Sequence, residues 1–122
     1  MKYIIIYENY DYFYPENDIF CIRKYDNKIY FIINKYQFLP IGYLIINEFG
    51  LKRYIHIKWD INKIEIPQNR LILSKISKLD LDLIIKTIPN EIISKIEKIT
   101  NFDLNNYIKQ YKKNIKTKKY NL

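Results

Sequence analysis

The stretch Leu79-Asp80-Leu81-Asp82-Leu83-Ile84-Ile85-Lys86-Thr87-Ile88-Pro89-Asn90 decides the fold. At Leu79 the spacing of apolar residues changes from about two, as in a strand, to about 3.6, as in a helix. Leu81, Ile84, Ile85 and Ile88 make one apolar stripe, Asp80 is placed as an N-cap, and Pro89 ends the helix. Asn90 then caps a second helix with the stripe Ile92, Ile93, Ile96 and Ile99. Asn101 or Asp103 caps a third, with Leu104, Tyr107, Ile108, Tyr111 and Ile115 at helical spacing. The last turn of that helix is basic, which suits the negative end of its dipole.

Upstream of Leu79 the pattern is that of strands. Over residues 52–60 alternation is strict, with Tyr54, His56, Lys58 and Asp60 on one face and Ile55, Ile57, Trp59 and Ile61 on the other. The clearest hairpin joins strands over residues 19–23 and 28–35 through Lys24-Tyr25-Asp26-Asn27, where Asp-Asn is good turn chemistry. A loop containing Pro40 leads to a strand over residues 42–47, and Asn47-Glu48-Phe49-Gly50 supplies the next turn. Further strands are expected over residues 3–7 and 70–74, and residues 9–18 form a loop dense in aromatic rings. Strands first and helices later predict an α+β domain, in which a small antiparallel barrel or curled sheet is followed by two or three C-terminal helices. Residues 1–111 form that single domain and residues 112–122 a basic tail.

The composition of the 122 residues is extreme: Ile, Lys, Asn and Tyr number 27, 18, 13 and 13, Ala and Val are absent, and Gly occurs twice. All four favoured residues have A/T-rich codons, which points to a very AT-rich genome. Apolar content of 48% is ample for a packed core. No apolar run reaches the roughly 18 residues of a membrane span, and the apolar patch after Lys2 ends at Glu8 with no cleavage signal, so the expected location is cytoplasmic and no membrane partner is expected. Cys21 is the single cysteine, which excludes an internal disulfide, and its strand-like setting reads as a small buried hydrophobe. The formal charge of +8 is concentrated late: residues 101–122 carry six cations and one anion. Lys109, Lys112, Lys113 and Lys116 are thus candidate contacts to nucleic acid, with Arg53, Lys58 and Lys78 elsewhere.

Conventional catalytic signatures are absent. Gly42 and Gly50 are eight apart and open no helix, so no phosphate-cradling loop exists. One Cys and one His cannot make a zinc site, and neither a metal nor a cofactor is expected. The strands of Cys21 and His56 give no reason for those side chains to meet. His56 lies beside Tyr54 and Lys58 with Arg53 adjacent in sequence. An imidazole among cations suits cleavage of a phosphodiester through the ribose 2′-hydroxyl, which needs proton transfer and stabilisation of a phosphorane but no metal. An ordinary surface histidine is the alternative reading.

In order and spacing the segments resemble the PemK/MazF family of toxin endoribonucleases. Lys28-Ile29-Tyr30-Phe31-Ile32-Ile33-Asn34 looks like the family's Arg-Pro-led strand, and Tyr43-Leu44-Ile45-Ile46-Asn47-Glu48 like the strand ending in its Thr-Ser pair. Residues 54–59 fit the following strand. Residues 71–80 are similar to the late strand and the entry into the first C-terminal helix, and the match continues through Ile84, Ile88, Glu91, Ile92, Ile96 and Ile99. About residues 18–104 are covered. The resemblance implies a small SH3-like barrel with C-terminal helices, binding of single-stranded RNA, metal-independent endoribonuclease activity and an acidic antitoxin as partner. It makes Lys28 and Asn47 catalytic candidates, to which the strand alternation adds His56. This chain has Lys28 where the family has Arg, Asn47-Glu48 where it has Thr-Ser, and Ser77 where it has the Arg of Gln-Ile-Arg-Thr. An ammonium is a point charge that does not reproduce bidentate guanidinium contacts.

Three functions stay open on the sequence. The first is the toxin-like RNA-binding protein, with or without cleavage. The second is a non-enzymatic nucleic-acid-binding module of a mobile element, virus or AT-rich organelle that docks through the basic helix and tail. The third is a protein-binding partner that uses the tyrosine-rich loop over residues 7–14. A homodimer is compatible with each.

Overall fold

The computed structural model describes residues 18–68 and 72–120. The expected first strand, the tyrosine-rich loop as far as residue 17 and residues 69–71 lie outside the described residues. Five strands, β1 (Phe20–Arg23), β2 (Lys28–Ile32), β3 (Phe38–Phe49), β4 (Lys52–Trp59) and β5 (Leu73–Lys75), precede three helices, α1 (Lys78–Thr87), α2 (Asn90–Thr100) and α3 (Leu104–Tyr120). The fold is α+β. The strands form one antiparallel sheet in the order β4-β3-β2-β1-β5, which is open, with β4 and β5 as its edges, rather than closed into a barrel.

The β1–β2 hairpin follows from its turn. Asn27 takes a left-handed conformation (φ 60°), which Asn tolerates, and the Arg23 guanidinium donates two hydrogen bonds to the Asp26 carboxylate at 3.0 and 2.7 Å. β2 stops at Ile32 instead of residue 35 because the Asn34 carboxamide accepts from the backbone N–H groups of Tyr36 and Gln37 and turns the chain.

Pro40, expected in a loop, lies inside β3. Tyr30 pairs with Pro40 while Ile29 pairs with Gly42, so Ile41 is the extra residue of a bulge. A bulge is one of the few places where a strand accepts a residue lacking an N–H. β3 also runs on through Asn47, Glu48 and Phe49, which were expected to turn. The turn is Gly50-Leu51, since Phe49 pairs with Lys52. Gly50 has φ 61°, and Asn27 and Asn101 are the non-glycine residues with positive φ, so Leu51 has negative φ and the pair fits a type II′ turn.

One face of the sheet buries a cluster of Cys21, Tyr30, Ile32, Phe38 and Leu73, and the core also holds Phe20, Ile29, Phe31, Leu39 and Ile41. Phe20 and Phe31 meet edge to face at 5.7 Å, as do Tyr30 and Phe38 at 6.3 Å. Beyond β4 the chain stays along β3, with Asp60 and Asn62 donating to the carbonyls of Ile41 and Pro40 and Glu65 bridged to Phe38. α1 lies against β4. It begins one turn earlier than Asp80 would place it, because the Ser77 hydroxyl accepts from the Asp80 N–H at 3.2 Å and is the cap.

The chain divides into two compact units, the first ending at Thr87 and the second beginning at Ile88. In the second, α2 starts directly after Pro89, which is extended at φ −71°, ψ 150°, with no side-chain cap. Asn101 closes α2 in the left-handed conformation, and the Asp103 carboxylate accepts from the Asn106 N–H to cap α3. The Glu97 carboxylate accepts from the Asn105 backbone and side chain, tying the end of α2 to the start of α3. Ile92, Ile93, Ile96, Leu104 and Ile108 are buried. α3 continues as helix through residues 112–120, the stretch expected as a tail.

Candidate nucleic-acid interface

β3 outruns β2. Its pairing with β2 ends at Tyr43, opposite Lys28, whereas its pairing with β4 continues to Phe49. Residues 44–49 and 52–57 therefore form a two-stranded ribbon that projects from the sheet. Cross-strand partners share a face, and the register assigns the two faces. Leu44 with Ile57, Ile46 with Ile55 and Glu48 with Arg53 lie on one. Tyr43 with Lys58, Ile45 with His56, Asn47 with Tyr54 and Phe49 with Lys52 lie on the other. On this second face Asn47, Phe49, Lys52, Tyr54, His56 and Lys58 are exposed, and no paired residue is acidic.

That face continues inward as a row across four strands. Lys58 stands opposite Tyr43, Tyr43 opposite Lys28, and Lys28 opposite Arg23. The three cations of this row differ in their partners. Arg23 is bound by Asp26, whose carboxyl is held below its usual range chiefly by the Arg23 hydrogen bond, and the guanidinium also lies 4.7 Å from the Tyr25 ring centroid. Lys28 donates to the Glu65 carboxylate at 2.7 Å, and the other Glu65 oxygen accepts from the Tyr30 hydroxyl at 3.0 Å. Burial and then Glu65 push the Tyr30 phenol up, so it stays a donor. The Lys58 side chain makes no hydrogen bond or ion pair among the described residues, and neither do those of Lys52, Arg53 or His56.

Of the residues picked from the sequence, the structure brings Asn47 and His56 together on one ribbon face, with Lys58 following on the same face opposite Tyr43. Lys28 is in the adjoining row but committed to Glu65. Arg53 is on the reverse face, opposite Glu48. Lys78 is exposed at the first residue of α1. Lys109, Lys112 and Lys113 are exposed on α3 in the second unit, where Lys116 follows at helical spacing. Sequence reading missed Lys52, Phe49 and Tyr43 as members of the face and Glu65 as the partner of Lys28. The charged alternation in β4 was signal enough for Lys52, but nothing links Glu65 to a lysine 37 positions away.

Cys21 is buried, and burial followed by the charge of Asp18 pushes its thiol well up, so it is a poor nucleophile. Among the described residues no group of three or more His, Cys, Asp and Glu side chains is placed to hold a metal ion, and no helix is long and apolar enough to cross a membrane. Comparison with models of protein families, with curated proteins and with solved structures finds no match to this chain.

Proposed function

We propose that the protein binds single-stranded RNA along the ribbon face of β3 and β4. One observation carries the reading: the face alternates cations with no side-chain partner among the described residues, Lys52 and Lys58, with the rings of Phe49, Tyr54 and Tyr43, and places no acid opposite them in register. Single strands are held in this way, by cations that follow the phosphates and rings that stack on bases of any sequence. Exposed bases are required for the stacking, which favours a single strand over a duplex.

The same face supports a second, chemical reading. His56 lies between Tyr54 and Lys58 on its own side of β4, with Asn47 paired to Tyr54. There the imidazole would take the proton of a ribose 2′-hydroxyl, and the Lys58 ammonium would stabilise the phosphorane that forms when that oxygen attacks the adjacent phosphorus. Tyr54 would return a proton to the departing 5′-oxygen. This is the chemistry of a metal-independent endoribonuclease, and in the toxin-like form of the reading an acidic antitoxin segment would compete with RNA for the face. The test is incubation of the full chain with labelled single-stranded RNA in chelator. Retention of the RNA with cutting that disappears in His56→Ala supports both readings, and retention without cutting supports binding alone. Absence of any retention at low salt refutes both.

A further inference from the structure

The tip of the ribbon carries apolar surface that contact with phosphates leaves unused. Leu51 is 106% exposed, Phe49 67% and Tyr54 50%. Gly50 permits the two-residue turn that sets Leu51 at the far end of the projecting ribbon. The Phe49 and Tyr54 rings lie 5.9 Å apart with their planes at 58°, on the face that also bears Lys52. Clustered exposed apolar groups on a projecting element mark a contact surface. Charge selects the occupant: Lys52 and Arg53 directly follow Leu51, and the one acid between residues 44 and 58, Glu48, is paired across the strands with Arg53.

We infer that the tip is a wedge, with Leu51 entering between two neighbouring bases of the bound RNA strand. This rests on the RNA-binding reading and deepens it. Lys52, in register with Phe49, sits where the phosphate flanking the opened step must pass, and the Phe49 and Tyr54 rings offer the separated base a new stacking surface. Aliphatic side chains on β-ribbons and helices part base steps by this physics, exchanging base–base stacking for contact with the wedge. The substrate class follows. Strands with weak stacking, such as uridine-rich RNA, are opened at less cost than adenine-rich RNA and are bound more tightly.

The test uses the full chain and an oligoadenylate whose exciton circular dichroism reports stacking directly, with anisotropy of an end-labelled copy reporting binding. The parent protein in excess should diminish the exciton signal. Leu51→Ser should leave that signal intact while keeping affinity within about tenfold, because the phosphate contacts are untouched. Leu51 is fully exposed among the described residues, so the variant tests the wedge and not stability. Binding with undiminished exciton signal in the parent, or equal loss in Leu51→Ser, overturns the wedge and leaves RNA binding standing. Absence of binding overturns both. Leu51-dependent adsorption to lipid vesicles without RNA binding also overturns both and assigns the tip to a membrane surface.

Discussion

Replacing Lys52 and Lys58 together by Ala probes the proposed face where it is least protected. Both are exposed and without a partner among the described residues, so their removal vacates no packed position and leaves no acid unpaired. If each neutralises one phosphate of a single strand, the slope of log K against log salt falls by about 0.7 per contact. The double variant should therefore lose about 1.4 from its slope. Extrapolated from 1 M to 0.1 M salt, each contact is worth about fivefold, or ~1 kcal/mol, and the pair about 25-fold. Anisotropy of a labelled 12-nucleotide RNA, titrated at several salt concentrations, measures slope and affinity together. Lys28→Ala combined with Glu65→Gln is the internal control: the ion pair is already neutral and its removal leaves no carboxylate behind, so it should leave the slope unchanged and lower stability by about 1–2 kcal/mol instead. A Lys52 and Lys58 double variant with the parent's slope, or a Lys28 and Glu65 double variant with a reduced one, would refute the assignment of the face.

Further outcomes follow from the same geometry. Gly42→Ala should cost about 1–3 kcal/mol in urea denaturation, because a Cβ there collides with the backbone carbonyl oxygen of Lys58 and closes to 3.1 Å from Trp59 Cα, so two paired strands must part. Asp26 has a carboxyl depressed by Arg23, so its contribution is fully present above the unfolded carboxylate range and is lost as pH falls through the lower folded value. The difference in urea midpoint between parent and Asp26→Asn should accordingly shrink on acidification below about pH 4 and be constant near neutrality. Cys21 should resist alkylation by iodoacetamide in the native protein and react once urea unfolds it, since burial both covers the thiol and opposes thiolate formation. Prompt native-state labelling would contradict the packing around Tyr30 and Phe38.

The parts of the fold that were legible in the sequence are those fixed by local chemistry. Asp26-Asn27 marked the first hairpin because Asn reaches the left-handed conformation at small cost, and the 52–60 alternation assigned β4 residue by residue through Trp59. The change of period at Leu79 marked the helices, but the cap was misread. Ser77 and Asp80 stand at the two ends of one capping interaction, and both residue types favour helix starts, so composition alone cannot choose between them. What failed was non-local. The bulge at Ile41 lets Pro40 sit inside a strand, and the length of β3 is set by its partner β4 more than by its own residues. The candidate site divides in the same way: His56 and Lys58 were visible because they alternate on one strand, whereas Lys28 was chosen for its charge and turned out to be held by a residue from a distant segment.

Arg23, Lys28 and Lys58 stand in register on neighbouring strands and would count equally in a net charge, yet they are not equivalent. A cation held by a half-buried carboxylate must give up that hydrogen bond before it can serve a phosphate, and the carboxylate left behind would repel the ligand. Asp26 and Glu65 thus commit the inner half of the row to the fold, and among the described residues the cations without a side-chain partner begin with Lys58, opposite Tyr43 where the β2 pairing ends. In a chain so rich in lysine, abundance carries little information about nucleic-acid binding. Partnering carries more: among the described residues Lys52 and Lys58 keep ammonium groups without a side-chain partner, opposite Phe49 and Tyr43, and the proposed function rests on those two.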